Sequence, residues 1–336
     1  MVSGGDYPLD WNHPYRSDLI SERIDMLNHL VSISDVSREK IEKILDSAEV
    51  MASLDKIHLS QILNGFILGV MFYQTSTRTR LSFEASMLKL GGNAIGFSNF
   101  KQTRAGDFFS ETLDDTVRIV AGMANCIVIR HYSDGAAARA AAISPVPIIN
   151  AGDGSHEHPT QALCDLWTIR KRVGQIPELK IALVGSPHCR ATQSMIKILV
   201  KCGIKKMYFV CPPNVDIMPC QSDLLAGEGV QWESLPGVAE AIDIADVIWM
   251  IPFLLPDFHN ARSEVVEKPH LEERFVLRKS KMHKVGHNPF VLHTGPRGEE
   301  LDPSMDSWEK SLYFSQAGDA IQMRMAILAN LMGCEP

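Results

Sequence analysis

An α/β fold of two doubly wound domains, each with a mainly parallel sheet flanked by helices, is what this sequence predicts, on three observations. Short apolar runs about the length of a buried strand recur along the chain and alternate with helical patterns, as expected of parallel sheets covered on both faces. The 336 residues exceed the usual size of one core and suit two domains of roughly 150 residues each. A long helical pattern, "HPTQALCDLWTIRKRVG", falls near mid-chain just before a fresh strand, where a bridge between two such domains belongs.

Taken in order, "SISDVSREKIEKILDSAEVM" carries Val36, Ile41, Ile44, Leu45 and Ala48 on one stripe behind a Ser34 or Asp35 cap, the pattern of an amphipathic helix. Strands follow at "FILGVMF", "NAIGFS", "CIVIR" and "VPIIN", separated by the helical segments "RLSFEASMLKLGG", "SETLDDTVRIVAGM" and "DGAAARAAA". In the second half, "KIALVG", "KMYFVC", "ADVIWMI" and "PFVLHT" read as strands, and "ATQSMIKILVKCG" as a helix. The final segment places Ile321, Met325, Leu328 and Met332 on one face and is expected to pack back on the body. The expected division is therefore a first domain over residues 1–160, completed by a C-terminal helix at about 316–336. A linking helix spans 159–174, and a second domain 175–312.

Composition narrows the function. A formal charge of −7, from 33 basic and 40 acidic residues, argues against a nucleic-acid or anionic-membrane surface as the main business of the protein. The seven cysteines follow no C-x-x-C spacing and several sit inside apolar runs, which fits reduced core thiols in a cytoplasmic protein. No apolar stretch approaches the ~20 residues of a membrane helix. The opening "MVSGGDYPLDWNHPYRSDLI" has no basic region followed by an apolar block, so no signal peptide is expected.

In open α/β sheets ligands bind at the carboxyl ends of strands, and polar groups cluster there: Gln74 to Arg80, Arg130 to Tyr132, Asp153 to Gln161, and His293 to Glu300. Ser76-Thr77-Arg78-Thr79 at a helix start offers backbone N–H groups, the positive helix end, hydroxyls and a guanidinium that forks onto two oxygens. Those features suit a phosphate; a Ser or Thr cap beside solvated arginines is the other reading. The glycines and lysine of a nucleotide-triphosphate loop are missing. In "HEHPTQ", His156 and His158 have H-x-H spacing with Asp153 nearby, but further metal ligands at workable spacing are not apparent. Pro159 suits the first turn of a helix, which sets His158 at its N-terminus as a neutral donor or as a simple cap. "LVGSPHCRATQS" has the single glycine Gly185 and is a weak dinucleotide signal. Arg190 there is a candidate carboxylate or phosphate fork, and Cys189 reads as a reactive thiol or, more plainly, as an inert small side chain.

The order "FYQTSTRTRLSFEASMLKLGG", "ETLDDTVRIVAGMANCIVIRH", "INAGDGSHEHPTQALCDLWTI", "FVLRKS" and "YFSQAG" resembles the aspartate/ornithine carbamoyltransferases, and the aspartate carbamoyltransferase catalytic chains above the ornithine ones. The similarity runs from about Leu30 to the C-terminus. It implies a carbamoyl phosphate-binding first domain, an acceptor-binding second domain, and a homotrimer whose active sites lie between neighbouring subunits. No metal or organic cofactor is implied. By the same resemblance Ser76, Thr77, Arg78 and Thr79 hold the phosphate together with Arg130. Thr79, Arg130 and His158 polarise the carbamoyl carbonyl, while Gln161 and the backbone near Thr294 and Gly295 fix its amino end. Arg190 matches the arginine that holds the acceptor's α-carboxylate.

The acceptor side departs from the family pattern. Pro252 and Leu254, in "IPFLLPDF", stand where the family has an Arg and a Gln that read the aspartate side chain. Losing a guanidinium from a carboxylate site forfeits hydrogen bonds worth about 1.5–3 kcal/mol each. The loop that a neighbouring subunit inserts reads "FKQTRAGDFFSET", in which Lys101 or Arg104 would substitute for the family's Lys and in which Phe108 and Phe109 have no counterpart. Gln74 replaces an acid. The expected activity is transfer of a carbamoyl group from carbamoyl phosphate to an amine or amino acid other than plain aspartate. The alternatives are a genuine aspartate carbamoyltransferase of pyrimidine biosynthesis, a non-catalytic carbamoyl phosphate-binding paralogue and, outside the family, a metal-dependent hydrolase built on His156 and His158.

Overall fold

The computed structural model describes residues 29–104, 111–253, 271–283 and 286–334. Leu254, Phe108 and Phe109 lie outside the described residues.

Two wholly parallel sheets form the frame. The first has strands β1 (Ile67–Phe72), β2 (Asn93–Phe97), β3 (Cys126–His131) and β4 (Ile148–Asp153) in the order β2-β1-β3-β4. The second has β5 (Lys180–Val184), β6 (Lys206–Val210), β7 (Gln231–Ser234), β8 (Val247–Met250) and β9 (Phe290–His293) in the order β7-β6-β5-β8-β9. Each order reverses once, between β1 and β3 and between β5 and β8, and such switch points open the crevices in which ligands of doubly wound sheets sit. The apolar runs that predict strands are β1–β6, β8 and β9. β7 escapes that test because all four of its side chains are exposed on a sheet edge.

The helices among the described residues are α1 (Arg38–Ser53), α2 (Lys56–Ile62), α3 (Thr77–Lys89), α4 (Leu113–Ala121), α5 (Ala136–Ile143), α6 (Pro159–Arg172), α7 (Arg190–Lys201), α8 (Pro219–Gly227), α9 (Val238–Ile244) and α10 (Ser315–Leu331). α1 begins later than expected. Its cap is Ser37, whose hydroxyl accepts from Lys40 N, while Ser34 and Asp35 belong to a separate tight turn capped by Ser32. α2, α8 and α9 are short helices that the apolar periodicity did not signal; α2 is held at its start by Asp55, which accepts from Ile57 and His58 N–H.

The C-terminal α10 packs against α1, α3 and α6, as its apolar face predicts. α6 proves to be more than a bridge. Leu163, Cys164, Leu166, Trp167 and Ile169 are all buried within it, and the apolar cluster they join includes Leu68 and Ile149 of the first sheet and Ile181 and Leu292 of the second. A fully buried side chain of this size contributes about 1.5–3 kcal/mol, so α6 joins both halves through one apolar core.

Candidate active site

The turn after β1 delivers Gln74 to Thr79. Ser76 occupies the N-cap position of α3 in an extended conformation, yet its hydroxyl makes no capping hydrogen bond. Ser37 and Thr112 do cap their own helices. A simple capping role for Ser76 is therefore overturned, and the first-turn N–H groups of α3 get no hydroxyl from it. Thr79 is buried. Ser82 Oγ donates to the Arg78 and Thr79 carbonyls at 2.5 and 2.9 Å, and Arg80 pairs with Glu84 at 2.7 Å, which commits Arg80 to the helix surface. Arg78 reaches over Gly295: a Cβ built on Gly295, whose φ is +68°, would lie 2.8 Å from Arg78 Cζ. The loop after β9 thus leaves the room this guanidinium occupies.

Arg130, one residue before the end of β3, lies directly opposite Phe72 of β1. Its Nη1 donates to Ala151 O at 3.1 Å and lies 3.4 Å from His158 Nε2. Its Nε is buried with no hydrogen-bond partner. Arg190, at the start of α7, approaches from the second sheet. A Cβ built on Gly152, where φ is +107°, would meet Arg190 Cζ at 3.0 Å and Arg130 Nη1 at 3.3 Å, so a glycine is what lets two guanidiniums close on this strand end. Burial, then Arg190 and Arg78, push the Arg130 pKa down; burial lowers Arg190 to about 10, which still leaves it charged at neutral pH. Three guanidiniums around these strand ends, partly offset by Asp153 and Asp134 beside Arg190, make a positive crevice suited to an anion.

His158 sits at the N-terminus of α6 without capping it, ahead of Pro159. Burial first, then Arg130, Arg190 and Arg324, hold its pKa well below the ordinary histidine value, so it is neutral. Thr160 Oγ1 lies 3.3 Å from its Nδ1, and a hydroxyl can donate as well as accept. A guanidinium can only donate, so Nε2 is the acceptor facing Arg130 Nη1, and the single ring proton sits on Nδ1, toward the Thr160 hydroxyl. The backbone here is tied down by Glu157, which is fully buried and accepts from Ser32 Oγ, Ile33 N, Ser194 Oγ and Lys197 Nζ at 2.5, 3.0, 3.0 and 2.7 Å. His158 N itself donates to Ser194 Oγ at 2.9 Å.

Gln161, one turn into α6, donates from Nε2 to Asp165 Oδ1 at 2.8 Å. Across the crevice, Thr294 N donates to Met250 O at 3.0 Å. Gly295 N donates to His293 Nδ1 at 2.8 Å, and His293 Nε2 lies 2.9 Å from Glu300 Oε1. A neutral His293, its pKa lowered chiefly by burial, satisfies both contacts by donating from Nε2 and accepting at Nδ1.

Arg78 thus meets Gly295, while Arg130 meets His158 and, across Gly152, Arg190; the charge of Arg78 is felt at Arg130, with Thr79 one residue beyond Arg78 and Gln161 one turn beyond His158. Arg190 departs from its expected form. Its Nη1 and Nη2 donate to Gly154 O and Gln74 Oε1, both at 2.9 Å, so its fork is engaged by protein groups. Pro252 follows β8 and brings no donor. Lys101 and Arg104 are exposed at and after a short turn, Phe100–Gln102. Cys189 is a buried thiol whose pKa burial raises, which removes the reactive reading. The hydrolase reading fares no better: among the described residues no group of three His, Cys, Asp or Glu could hold a metal ion, and His158 faces the Arg130 guanidinium. Asp165, Gln316 and Trp249 are polar partners that the sequence reading missed; a lone Asp inside the apolar run "ALCDLW" was the available signal.

Two family profiles match this chain in tandem. "Aspartate/ornithine carbamoyltransferase, carbamoyl-P binding domain" covers residues 28–171, and "Aspartate/ornithine carbamoyltransferase, Asp/Orn binding domain" covers residues 177–331. The aspartate carbamoyltransferase catalytic subunit of Methanococcus vannielii is 36% identical over 307 residues, which is 91% of this chain and 98% of that one. Chloroplastic aspartate carbamoyltransferase 3 of Pisum sativum is 34% identical over 308 residues, 91% of this chain and 78% of that one. Among solved structures, the catalytic subunit of M. jannaschii aspartate transcarbamoylase superposes with a TM-score of 0.80 at 34% identity, covering 91% of this chain and 98% of that one. The Trypanosoma cruzi enzyme in complex with N-(phosphonacetyl)-L-aspartic acid gives 0.76 at 28% identity, covering 90% of this chain and 96% of that one.

Proposed function

The chain belongs to the aspartate/ornithine carbamoyltransferase family, and we propose that it transfers the carbamoyl group of carbamoyl phosphate to the amino group of an amino acid. The observation that carries this reading is the convergence of Arg78, Arg130 and neutral His158 on a helix start that Ser76 leaves uncapped. Ser76, Thr77, Arg78 and Thr79 with Arg130 bind the phosphate. Thr79 and Arg130 donate to the carbonyl oxygen, His158 joins them when Arg130 turns to the substrate and the ring proton moves to Nε2, and Gln161 with the Thr294–Gly295 backbone holds the amino end.

The amine nitrogen attacks the carbonyl carbon, the bond from that carbon to the phosphate ester oxygen breaks, and the amine proton leaves with the phosphate. Orientation and charge stabilisation suffice for such a step, with no covalent enzyme intermediate. The first sheet with α10 serves the donor and the second serves the acceptor. A homotrimer would bring Lys101 or Arg104 of a neighbour to the shared site. Seven unpaired cysteines suit a reducing compartment such as the cytoplasm, and no helix among the described residues is long and apolar enough to cross a membrane.

The named relatives favour aspartate as the acceptor. One observation favours a second reading, an acceptor other than plain aspartate: Pro252 replaces the family's arginine, and Arg190 already donates to Gln74 and Gly154. Carbamoyl phosphate incubated with the protein and a panel of amines, read by mass spectrometry, decides between them. N-carbamoyl-aspartate as the dominant product, with tight inhibition by N-(phosphonacetyl)-L-aspartic acid, establishes the first reading. A different carbamoylated amine and weak inhibition establish the second. No product from any amine, with carbamoyl phosphate still raising the melting temperature, leaves a binding protein and refutes both.

A further inference from the structure

Carbamoyl phosphate differs from an acyl phosphate such as acetyl phosphate in carrying an amino group where the other carries a methyl. A site that prefers the first must aim a hydrogen-bond acceptor at that amino group. The direction of every hydrogen bond behind Gln161 bears on which end of its amide faces the crevice.

Asp165 lies one turn beyond Gln161 on α6 and is wholly buried. Its carboxylate receives Gln161 Nε2 at 2.8 Å, Trp249 Nε1 at 2.7 Å and a short bond from Gln316 Nε2. An indole N–H can only donate, and an ionised carboxylate can only accept. Gln316 is pinned at its other end as well, since its Oε1 accepts from the His293 backbone N–H at 3.2 Å. Neither Trp249 nor Gln316 can reverse, so Gln161 has one allowed orientation, with Nε2 turned in to Asp165 and Oε1 turned away from it. Side-chain amide orientation is normally assigned from such networks, and this one leaves a single solution.

We propose that Asp165 is a positioning residue that presents Gln161 Oε1 as the acceptor for the carbamoyl amino group, and so sets the preference of the donor site for carbamoyl over acyl phosphates. The inference rests on the carbamoyl phosphate reading above. Through Gln316 and His293 the same carboxylate also steadies the Thr294–Gly295 loop on the opposite wall.

Asp165→Asn keeps the shape and inverts the logic. If the Asn oxygen stays on Trp249, its amide nitrogen faces the glutamines. Gln316 is held by His293, so Gln161 turns and offers a donor to a donor. Dissociation constants for carbamoyl phosphate, acetyl phosphate and inorganic phosphate are measured by calorimetry on the wild type, Asp165→Asn, Gln161→Ala and the double variant. Asp165→Asn is expected to lose about tenfold or more of the carbamoyl-over-acetyl preference, the cost of one hydrogen bond replaced by a repulsive contact, with phosphate affinity kept within about twofold. The double variant is expected to be no less selective than Gln161→Ala alone.

A second measurement needs no substitution. Burial pushes Asp165 up to about 6, against its three donors and Arg324 of α10; the buried Cys164 thiol beside it is raised and stays neutral. The wild-type preference is therefore expected to fall as pH drops from 7.5 to 5. A preference that survives both Asp165→Asn and acid pH overturns the proposal, as does an equal loss of inorganic phosphate. A wild type that binds acetyl and carbamoyl phosphate alike instead overturns the donor-site reading itself.

Discussion

Gly295→Ala tests whether the loop after β9 and the turn after β1 jointly form the phosphate site. The new Cβ would stand 2.8 Å from Arg78 Cζ, whereas ordinary contact begins near 3.4 Å, and its nearest neighbours are all atoms of that guanidinium. The backbone penalty is that of a non-glycine residue at φ +68°, about 1–2 kcal/mol. Because the clashing group is the tip of an exposed, flexible arginine, the guanidinium retreats and the core is spared, so the melting temperature should fall by about 2–6 °C. Binding should suffer more. One charge-assisted hydrogen bond lost from the phosphate costs about 1.5–3 kcal/mol, or about 10- to 150-fold in affinity. Calorimetry with carbamoyl phosphate and inorganic phosphate reads the affinity, and scanning calorimetry reads the stability. In an Arg78→Ala background the substitution should cost only its backbone share, since the two positions act through one contact. Gly295→Ala protein that binds phosphate within about twofold of wild type, or shows the full loss when Arg78 is absent, would refute the placement of Arg78 in the site.

Two further outcomes follow from the buried titratable groups. His158 is held well below its ordinary pKa and His131 down to about 4, both by burial first; the unfolded chain takes up these protons near pH 6.5 and the folded chain does not. Stability should therefore fall as pH drops below 6.5, by about 1–1.5 kcal/mol per histidine at pH 5.5, seen as a lower urea midpoint; His131→Gln should flatten part of that slope, and an unchanged midpoint between pH 7.5 and 5.5 would contradict the burial of both rings. Glu157 is tuned the other way: burial raises its pKa, but Lys197, Ser32 and Ile33 N–H together hold it below the ordinary value. Its contribution is present above about pH 4.5 and lost as pH falls, and Glu157→Gln should cost about 2–4 kcal/mol at neutral pH, discounted because Lys197 reaches solvent; a change under about 0.5 kcal/mol by denaturant titration would show the ion pair to be idle.

The sequence shows the sheets well because their strands are covered on both faces, which turns them into unbroken apolar runs such as "ILGVMF" and "VIWM". β7 is invisible for the opposite reason: an edge strand with exposed Gln231, Trp232, Glu233 and Ser234 carries no burial signal. The start of α1 was misplaced because Ser34, Asp35 and Ser37 are all competent caps, and only geometry shows that the first two close a separate turn. For the candidate site, the strand-end rule singles out Ser76, Arg78, Arg130, His158 and Arg190. It could not show that Arg190 is already engaged by Gln74 and Gly154, nor that Asp165 stands behind Gln161. The partners of Arg190 lie 36 and 116 positions away and arise from topology; Gln161 and Asp165 are only four apart on one helix, and what the sequence hides there is that Trp249 and Gln316, 84 and 151 positions on, share the same carboxylate.

The three donors on Asp165 come from three separate elements, α6, β8 and α10, and none can be reversed alone. Such a knot restricts the paths by which the protein can change. A single substitution at Gln161, Asp165, Trp249 or Gln316 strands a buried polar group on one of the others, so drift at these four positions must proceed by joint replacement. Pro252, with no N–H and no polar side-chain atom, takes no part in such a knot. If the proposed roles hold, change at Pro252 is less constrained than change at these four positions, and acceptor preference can drift more easily than donor preference.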